Sequence, residues 1–413
     1  MKILWVKAGK LLPVDTGGKI RSFNLLRELD ARSDVTLLSY YGGARDREYE
    51  QVLVAAFPRA VPFHTSMPDR SAAGLAVDYA ARCLWRAPYA VSKFTSRAVR
   101  RLVAEWDQAR RFDVSVCDFL SASLNFPERP RTPSVLFQHN VESILWRRQA
   151  TTARGAMKRL VYRLEALKME RYERTTVRRF EHVLAVSDWD KAAMAAMTDS
   201  ARISVVPTGV DTRTFRPALR HERPEPIVLF LGSMDWEPNI DGVEHFVEAI
   251  WPAVRSAVPA ARFQVVGRNP GAAVRRLASD SVEIVGTVPS VVEYLHRAAV
   301  VVVPLRVGGG TRLKIYEAMG AAKAVVSTTI GAEGLDTTDG RDIVLADTPG
   351  RFADAVVRIL SDASERRRLE EEAHTTASRY DWAAVATQLE AILARAVEGS
   401  PATRPAVLTR AVA

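Results

Sequence analysis

Cysteine is nearly absent from this sequence: 413 residues carry two, Cys83 and Cys117. Two thiols can neither staple a chain of this size nor build a zinc site, which excludes a disulfide scaffold and fits a reducing compartment. Long apolar runs are absent too. The nearest approach, AAVVVVPL at 298 to 305, falls well short of the ~18 to 20 residues that a membrane-spanning helix needs. The N-terminal MKILWVKAGK is interrupted by Lys7 and Lys10 and is followed by no small-residue cleavage site, so it reads as a first strand and not as a signal peptide. There is no HExxH, no Cys/His cluster, no short-period repeat and no low-complexity tract. A tightly bound catalytic metal is therefore not expected, and a cytoplasmic location is.

What is present is ordinary for a globular protein, with 47% hydrophobic and 26% charged residues. The length exceeds one compact core and suggests two domains of roughly 150 to 200 residues. The formal net charge of +10 favours anionic partners. Much of it is local: residues 147 to 179 hold eleven Lys or Arg against three Glu, a net of +8. Met157, Leu160, Val161, Leu164, Leu167 and Met169 recur there near helical spacing, which predicts a basic amphipathic helix. Two readings stay open for it: a solvated face on a core-facing helix, or a docking surface for anionic membrane or a lipid diphosphate. Nucleic acid is not expected, because no aromatic stacking platforms interleave the basic residues.

Short runs rich in Val, Ile and Leu alternate with helical stretches, the pattern of parallel sheets flanked by helices. KILWV, DVTLLSY, DVSVCD, PSVLFQ, HVLAVS and ISVVP are the strands of the first half. PIVLFLG, ARFQVVG, VEIVG, AVVVVPL, KAVVST and DIVLA are those of the second. These predict an α/β chain with a first Rossmann-like domain over 1–206, a Pro- and Arg-rich linker over 207–226 and a second Rossmann-like domain over 227–379. A helix over 380–398 crosses back to the first domain, and a flexible tail follows over 399–413. Two such domains face a cleft, and open parallel sheets bind ligands at the carboxyl ends of their strands.

One segment concentrates the signal. RVGGGTRLKIYE follows the strand at 299 to 305 and opens a helix. Glycines let backbone amides approach a phosphate, and a helix start adds the positive end of its dipole. Gly309 and Gly310, Thr311 as N-cap, and Arg312, Leu313 and Lys314 beside them would meet a diphosphate; Glu317, further along the helix, would accept hydroxyl hydrogen bonds from a ribose. Elsewhere DTGGKIRS lacks the first glycine and the hydroxyl of a P-loop, having Pro13 and Ile20 there. Asp188 and Asp190 of DWD spell a metal motif, but helix capping by Ser187 or Asp188 explains them better.

KIYEAMGAAKAVVSTTIGAEGL, together with MKILWVKAGKLLPVDTGGKIRSFNLLREL, VPTGVDTRTFRP and GSMDWEPNIDGVEHF, resembles the family-four (group 1) retaining glycosyltransferases of the GT-B fold over most of the chain. The resemblance implies transfer of a sugar, with retention, from a nucleotide-diphosphate sugar to an acceptor hydroxyl. A cytoplasmic chain with a basic first domain suits a glycan or polyprenyl-diphosphate-linked saccharide as acceptor, as in cell-surface polysaccharide assembly, with peripheral contact at the inner face of an anionic membrane. The nucleotide sugar is a substrate, with no tightly bound cofactor. Glu317 matches the second glutamate of the family's Glu-x7-Glu pair, while Gly309 stands where the first would be. Ser233 and Pro238 replace the family's basic pair, so Arg268, Arg306, Arg312 and Lys314 are the substitutes, with Gly232 at the end of its strand. Gly17 and Gly18 match the loop that faces the donor phosphate and acceptor. His139 matches the first-domain histidine near the donor sugar. The missing first glutamate keeps a non-catalytic nucleotide-sugar-binding scaffold as an alternative, and the shared architecture keeps a GT-B-type nucleotide-sugar epimerase as another.

Overall fold

The computed structural model describes residues 1–65, 72–153, 155–218, 225–307 and 313–399. Two compact units emerge, Met1–Val206 together with the chain from Val385 on, and Pro207–Ala384.

In the first unit the strands are β1 (Lys2–Ala8), β2 (Asp34–Tyr41), β3 (Val61–His64), β4 (Val114–Asp118), β5 (Ser134–Phe137), β6 (His182–Ala185) and β7 (Ile203–Val205). They form one 7-stranded sheet in the order β3-β2-β1-β4-β5-β6-β7, with every pairing parallel. β3, the edge strand, is not apparent in the sequence: its VPFH is short, contains Pro62 and has no fully buried residue, as suits an edge that needs no second partner. The helices that matter below are α1 (Gly17–Asp30), α2 (Ala72–Arg82), α3 (Glu142–Thr152) and α4 (Ala156–Arg179).

In the second unit β8 (Ile227–Leu231), β9 (Arg262–Val266), β10 (Val282–Gly286), β11 (Val300–Val303), β12 (Ala324–Ser327) and β13 (Val344–Leu345) form a 6-stranded sheet. Its order is β10-β9-β8-β11-β12-β13, again all parallel. The four valines of β11 are fully buried, because helices on both faces leave a central parallel strand no solvated side. α5 (Glu237–His245), α6 (Leu313–Gly320) and the last helix, α7 (Trp382–Gly399), complete the elements needed here. α7 begins with Trp382 packed on Gly209, where a Cβ would lie 2.5 Å from the indole. Further along, Thr387 accepts from Arg32 (2.6 Å), Glu390 from Ser33 (2.8 Å), and Gln388 donates to the Val205 carbonyl (3.0 Å).

Both sheets reverse their strand order beside their first strand, at β1/β4 and at β8/β11, the switch point where crossover loops diverge and leave a crevice. In the second unit the chain leaving β8 passes so close to that leaving β9 that a Cβ on Gly267 would sit 1.8 Å from the Gly232 carbonyl oxygen. Backbone against backbone cannot rotate away. Gly267→Ala should therefore destabilise the fold by about 1 to 3 kcal/mol or more, whereas Gly350→Ala, with nothing within 4 Å, should leave it nearly unchanged. Denaturant unfolding of both variants checks this.

Candidate functional site

The expected residues of the second unit gather at the carboxyl edge of its sheet. Gly232 ends β8, Arg268 follows β9, Arg306 follows β11, and Leu313, Lys314 and Glu317 lie on α6. Gly309, Gly310, Thr311 and Arg312 lie outside the described residues. Lys314 reaches back towards β8: its Nζ donates to Asn239 Oδ1 at 2.9 Å and stands 4.4 Å above the Phe230 ring. Gly232 leaves room for this, since a Cβ there would come within 2.6 Å of Lys314 Nζ. Asn239 in turn donates from Nδ2 to the Ser233 carbonyl (2.8 Å), so one amide ties α5, α6 and the loop after β8 together.

Arg268 reaches the loop after β8 from the neighbouring strand. Its Nε donates to Ser233 Oγ at 2.8 Å and lies 3.4 Å from Asp235 Oδ2, which places a guanidinium over that loop. Arg306 is turned aside, its Nε paired with Asp241 Oδ2 at 3.1 Å. Glu317 is half-buried. Burial pushes its carboxyl up to about 7, against the opposing pull of Lys314 three residues earlier. Its proton therefore exchanges near neutrality, and a hydroxyl-bearing ligand that favours the carboxylate is coupled to pH.

The first unit holds a second cluster, also at a carboxyl edge and centred on the fully buried Asp118 at the end of β4. Asp118 Oδ2 receives Lys7 Nζ from the end of β1 (3.0 Å) and Ser22 Oγ from α1 (2.7 Å); Oδ1 meets His139 Nε2 at 2.7 Å. Arg21 donates to His139 Nδ1 at 2.9 Å. Since a guanidinium only donates, Nδ1 is the acceptor and Nε2 carries the proton. Burial works to raise the Asp118 carboxyl, but Lys7, His139 and Ser22 outweigh it and hold it well below the usual carboxylate range. Burial lowers His139 to about 4 and Arg21 to about 10. The imidazole is neutral near pH 7, with both nitrogens engaged inside the unit.

Phe119 closes the cluster. At φ +68° it occupies a region that an aromatic residue seldom adopts, and its ring stacks on His139 with centroids 3.7 Å apart and planes 2° from parallel. Lys7 Nζ lies 4.7 Å from the same ring. Gly18 is required by this ring, because a Cβ would fall 2.3 Å from Phe119 Cζ. Gly17 is the first residue of α1, whose opening amides have no helical acceptor. Beside these residues opens a cavity of about 950 Å³, lined by Lys7, Gly9, Lys10, Leu12, Pro13 and Thr16, by Lys19 of α1, and by residues 41–47, Asp78, Tyr89, Lys93 and Phe119. Elsewhere in the unit, fully buried Glu173 of α4 caps α3, accepting from the amides of Glu142 (2.8 Å) and Ser143 (3.0 Å). Burial and this neighbour push Glu142 up to about 7.

Sequence reasoning did not pick out Lys7, Arg21, Ser22, Asp118, Phe119 or Asn239. A signal existed for two of them: Lys7 and Asp118 are charged residues at the carboxyl ends of otherwise apolar strands. Ser187 caps the helix Asp188–Ala195, accepting from the Asp190 amide at 3.1 Å, which accounts for the DWD motif.

Residues 16–214 match the domain family described as Glycosyltransferase Family 4, and residues 225–362 match Glycosyl transferases group 1. A phosphatidyl-myo-inositol mannosyltransferase of Mycobacterium tuberculosis is 29% identical over 225 residues, 50% of this chain and 57% of that protein. The matched stretch thus spans little more than half of the relative's length. Among solved structures, Anabaena HepE in complex with UDP and glucose superposes with a TM-score of 0.65 at 14% identity, covering 95% of this chain and 99% of that one. WaaG, a glycosyltransferase involved in lipopolysaccharide biosynthesis, gives 0.63 at 14% identity, with the same coverage. At such identities the likeness shows the fold, which is GT-B.

The acid limb of stability should report the His139 cluster. An unfolded histidine takes its proton near pH 6.5 and the folded one only near 4, so stability is present above 6.5 and is lost as pH falls between them. Comparing wild type with His139→Gln by chemical denaturation, the stability difference should shrink towards acid by up to about 1.4 kcal/mol per pH unit. A pH-independent difference would mean that the imidazole is not held neutral.

Proposed function

Because the chain belongs to the group 1, family 4 glycosyltransferases, we propose that it moves a sugar, with retention, from a nucleotide-diphosphate sugar to a hydroxyl of a lipid-linked saccharide acceptor. The observation that carries the donor reading is the convergence of Arg268, Lys314 and Glu317 at the β8/β11 switch point; Gly309, Gly310, Thr311 and Arg312 come just before Lys314 in the sequence. Glu317 receives the ribose hydroxyls. Arg268, steadied by Ser233 and Asp235, faces the diphosphate. Breaking the anomeric bond puts positive character on the sugar and negative charge on the leaving diphosphate, and donors fixed in place beforehand stabilise that charge without reorganising. HepE, solved with UDP and glucose, and the mycobacterial relative, named for a phosphatidylinositol acceptor, support the two substrate classes.

In the first unit, the cavity beside Gly17 and Gly18 takes the acceptor. Lys10, Lys19, Arg45, Arg47 and Lys93 give its lining a surplus of cations over Asp46 and Asp78, as a phosphate-bearing acceptor would require. His139, with both nitrogens engaged, acts as a positioning residue that holds Phe119 over Gly18 and so sets the loop.

Calorimetric titration with UDP, GDP and their sugar conjugates tests the donor site. One nucleotide should bind at micromolar strength, and Glu317→Ala should weaken it by about 1 to 3 kcal/mol. No binding, or equal binding by the variant, would overturn the assignment. Between pH 6 and 8 wild-type affinity should rise about tenfold as Glu317 ionises, and Glu317→Gln should abolish the rise. Retention is checked by the anomeric configuration of the product; donor binding without any transfer would leave a nucleotide-sugar-binding scaffold.

A further inference from the structure

α4 is built inside out. Its body-facing side buries Glu165, Ala166, Met169, Glu173 and Thr176, whereas Met157 (74% exposed), Leu160, Leu164 and Leu167 (67%) face solvent. At 100° per residue Leu160, Leu164, Leu167 and Arg171 form one stripe directly opposite the buried one. The core-facing expectation for these leucines is therefore corrected: the first unit is satisfied by the other face.

The stripe does not stand alone. Glu165 Oε2 accepts from the Tyr89 amide at 2.6 Å, and Lys168 Nζ donates to the Cys83 carbonyl at 2.5 Å, which fixes the turn after α2 against the helix. That turn carries Leu84, 94% exposed, and Trp85, also exposed. Two segments far apart in sequence thus lie side by side, each with exposed apolar side chains, and Arg86, Lys158, Arg159, Arg163 and Arg171 on them are exposed as well. Glu165 is buried and Glu170 is paired with Arg174 at 3.6 Å, so the surface is cationic as well as apolar.

We propose that this face, the outward side of α4 together with Leu84 and Trp85, seats the protein on an anionic lipid bilayer. Apolar side chains enter the acyl boundary while the surrounding guanidinium and ammonium groups meet anionic headgroups, the arrangement of an interfacial helix. A second copy of the chain fits less well, because apposing the stripe on itself brings like charges together. The proposal deepens the reading of a lipid-linked acceptor: Asp78, Tyr89 and Lys93, which line the acceptor cavity, flank the turn that carries Leu84.

Vesicle flotation of the full chain, without donor or acceptor, tests it, using phosphatidylcholine alone and an equal mixture of phosphatidylcholine and phosphatidylglycerol. Wild type should float with the mixed vesicles and much less with the neutral ones. Arg159→Gln/Arg163→Gln/Arg171→Gln should lose about 100-fold in partitioning, roughly fivefold per charge, and Leu160→Ser/Leu164→Ser/Leu167→Ser should lose at least as much. Both variants change exposed positions and should unfold like wild type and keep donor binding, so a failure here is separable from a failure of the transferase reading. Absence of wild-type flotation, or undiminished flotation of the variants, would overturn the proposal. So would a wild-type dimer in light scattering that the serine variant dissolves while vesicles bind neither form.

Discussion

The buried carboxylate of Asp118 is the fixed point of the first unit. Its two oxygens join the end of β1 through Lys7, the first turns of α1 through Ser22 and the chain after β5 through His139. Removing such charges from water is expensive, and the expense is recovered only if each partner stays in place. The network therefore specifies geometry: it holds β1 and β4 in register at the point where strand order reverses. It also selects the His139 tautomer and, through that ring, fixes the position of Phe119 above the glycine loop.

An analogous logic operates in the second unit with a neutral group. Asn239 ties Lys314 to the loop after β8, and Gly232 and Gly267 allow backbone approaches that any side chain would prevent. In both units the chemistry sits at the carboxyl edge because parallel strands send every crossover loop out at the same end. Helix starts and strand ends then present unsatisfied amides and charged side chains to one another. Arg268 reaches the loop after β8 from the end of β9.

The long basic helix follows the same physical chemistry turned outward. Two of its three glutamates are buried and satisfy backbone amides, Glu173 capping α3 and Glu165 the Tyr89 amide. Leu160, Leu164 and Leu167 are left exposed on the side opposite its buried residues. An apolar stripe set among cations is the composition of a surface that waits for a partner.

Most of the architecture was legible in the sequence. Apolar runs alternating with helical stretches announced two parallel α/β sheets, since strands buried on both faces cannot disguise their composition. The Gly-rich segment leading to Glu317 and the DTGG loop stood out by composition, and in the structure Gly18 is needed where the Phe119 ring comes close. The edge strand β3 was hidden, since an edge bears little apolar constraint. Periodicity disclosed the amphipathic helix at 156 to 179 but not which of its faces meets the protein. Nor could sequence show that His139, 21 residues from Asp118 and 118 from Arg21, has both nitrogens taken. Local pattern determines which elements form and where charge lies along them. Which buried groups satisfy one another is decided only when tertiary packing brings distant strand ends within hydrogen-bonding distance.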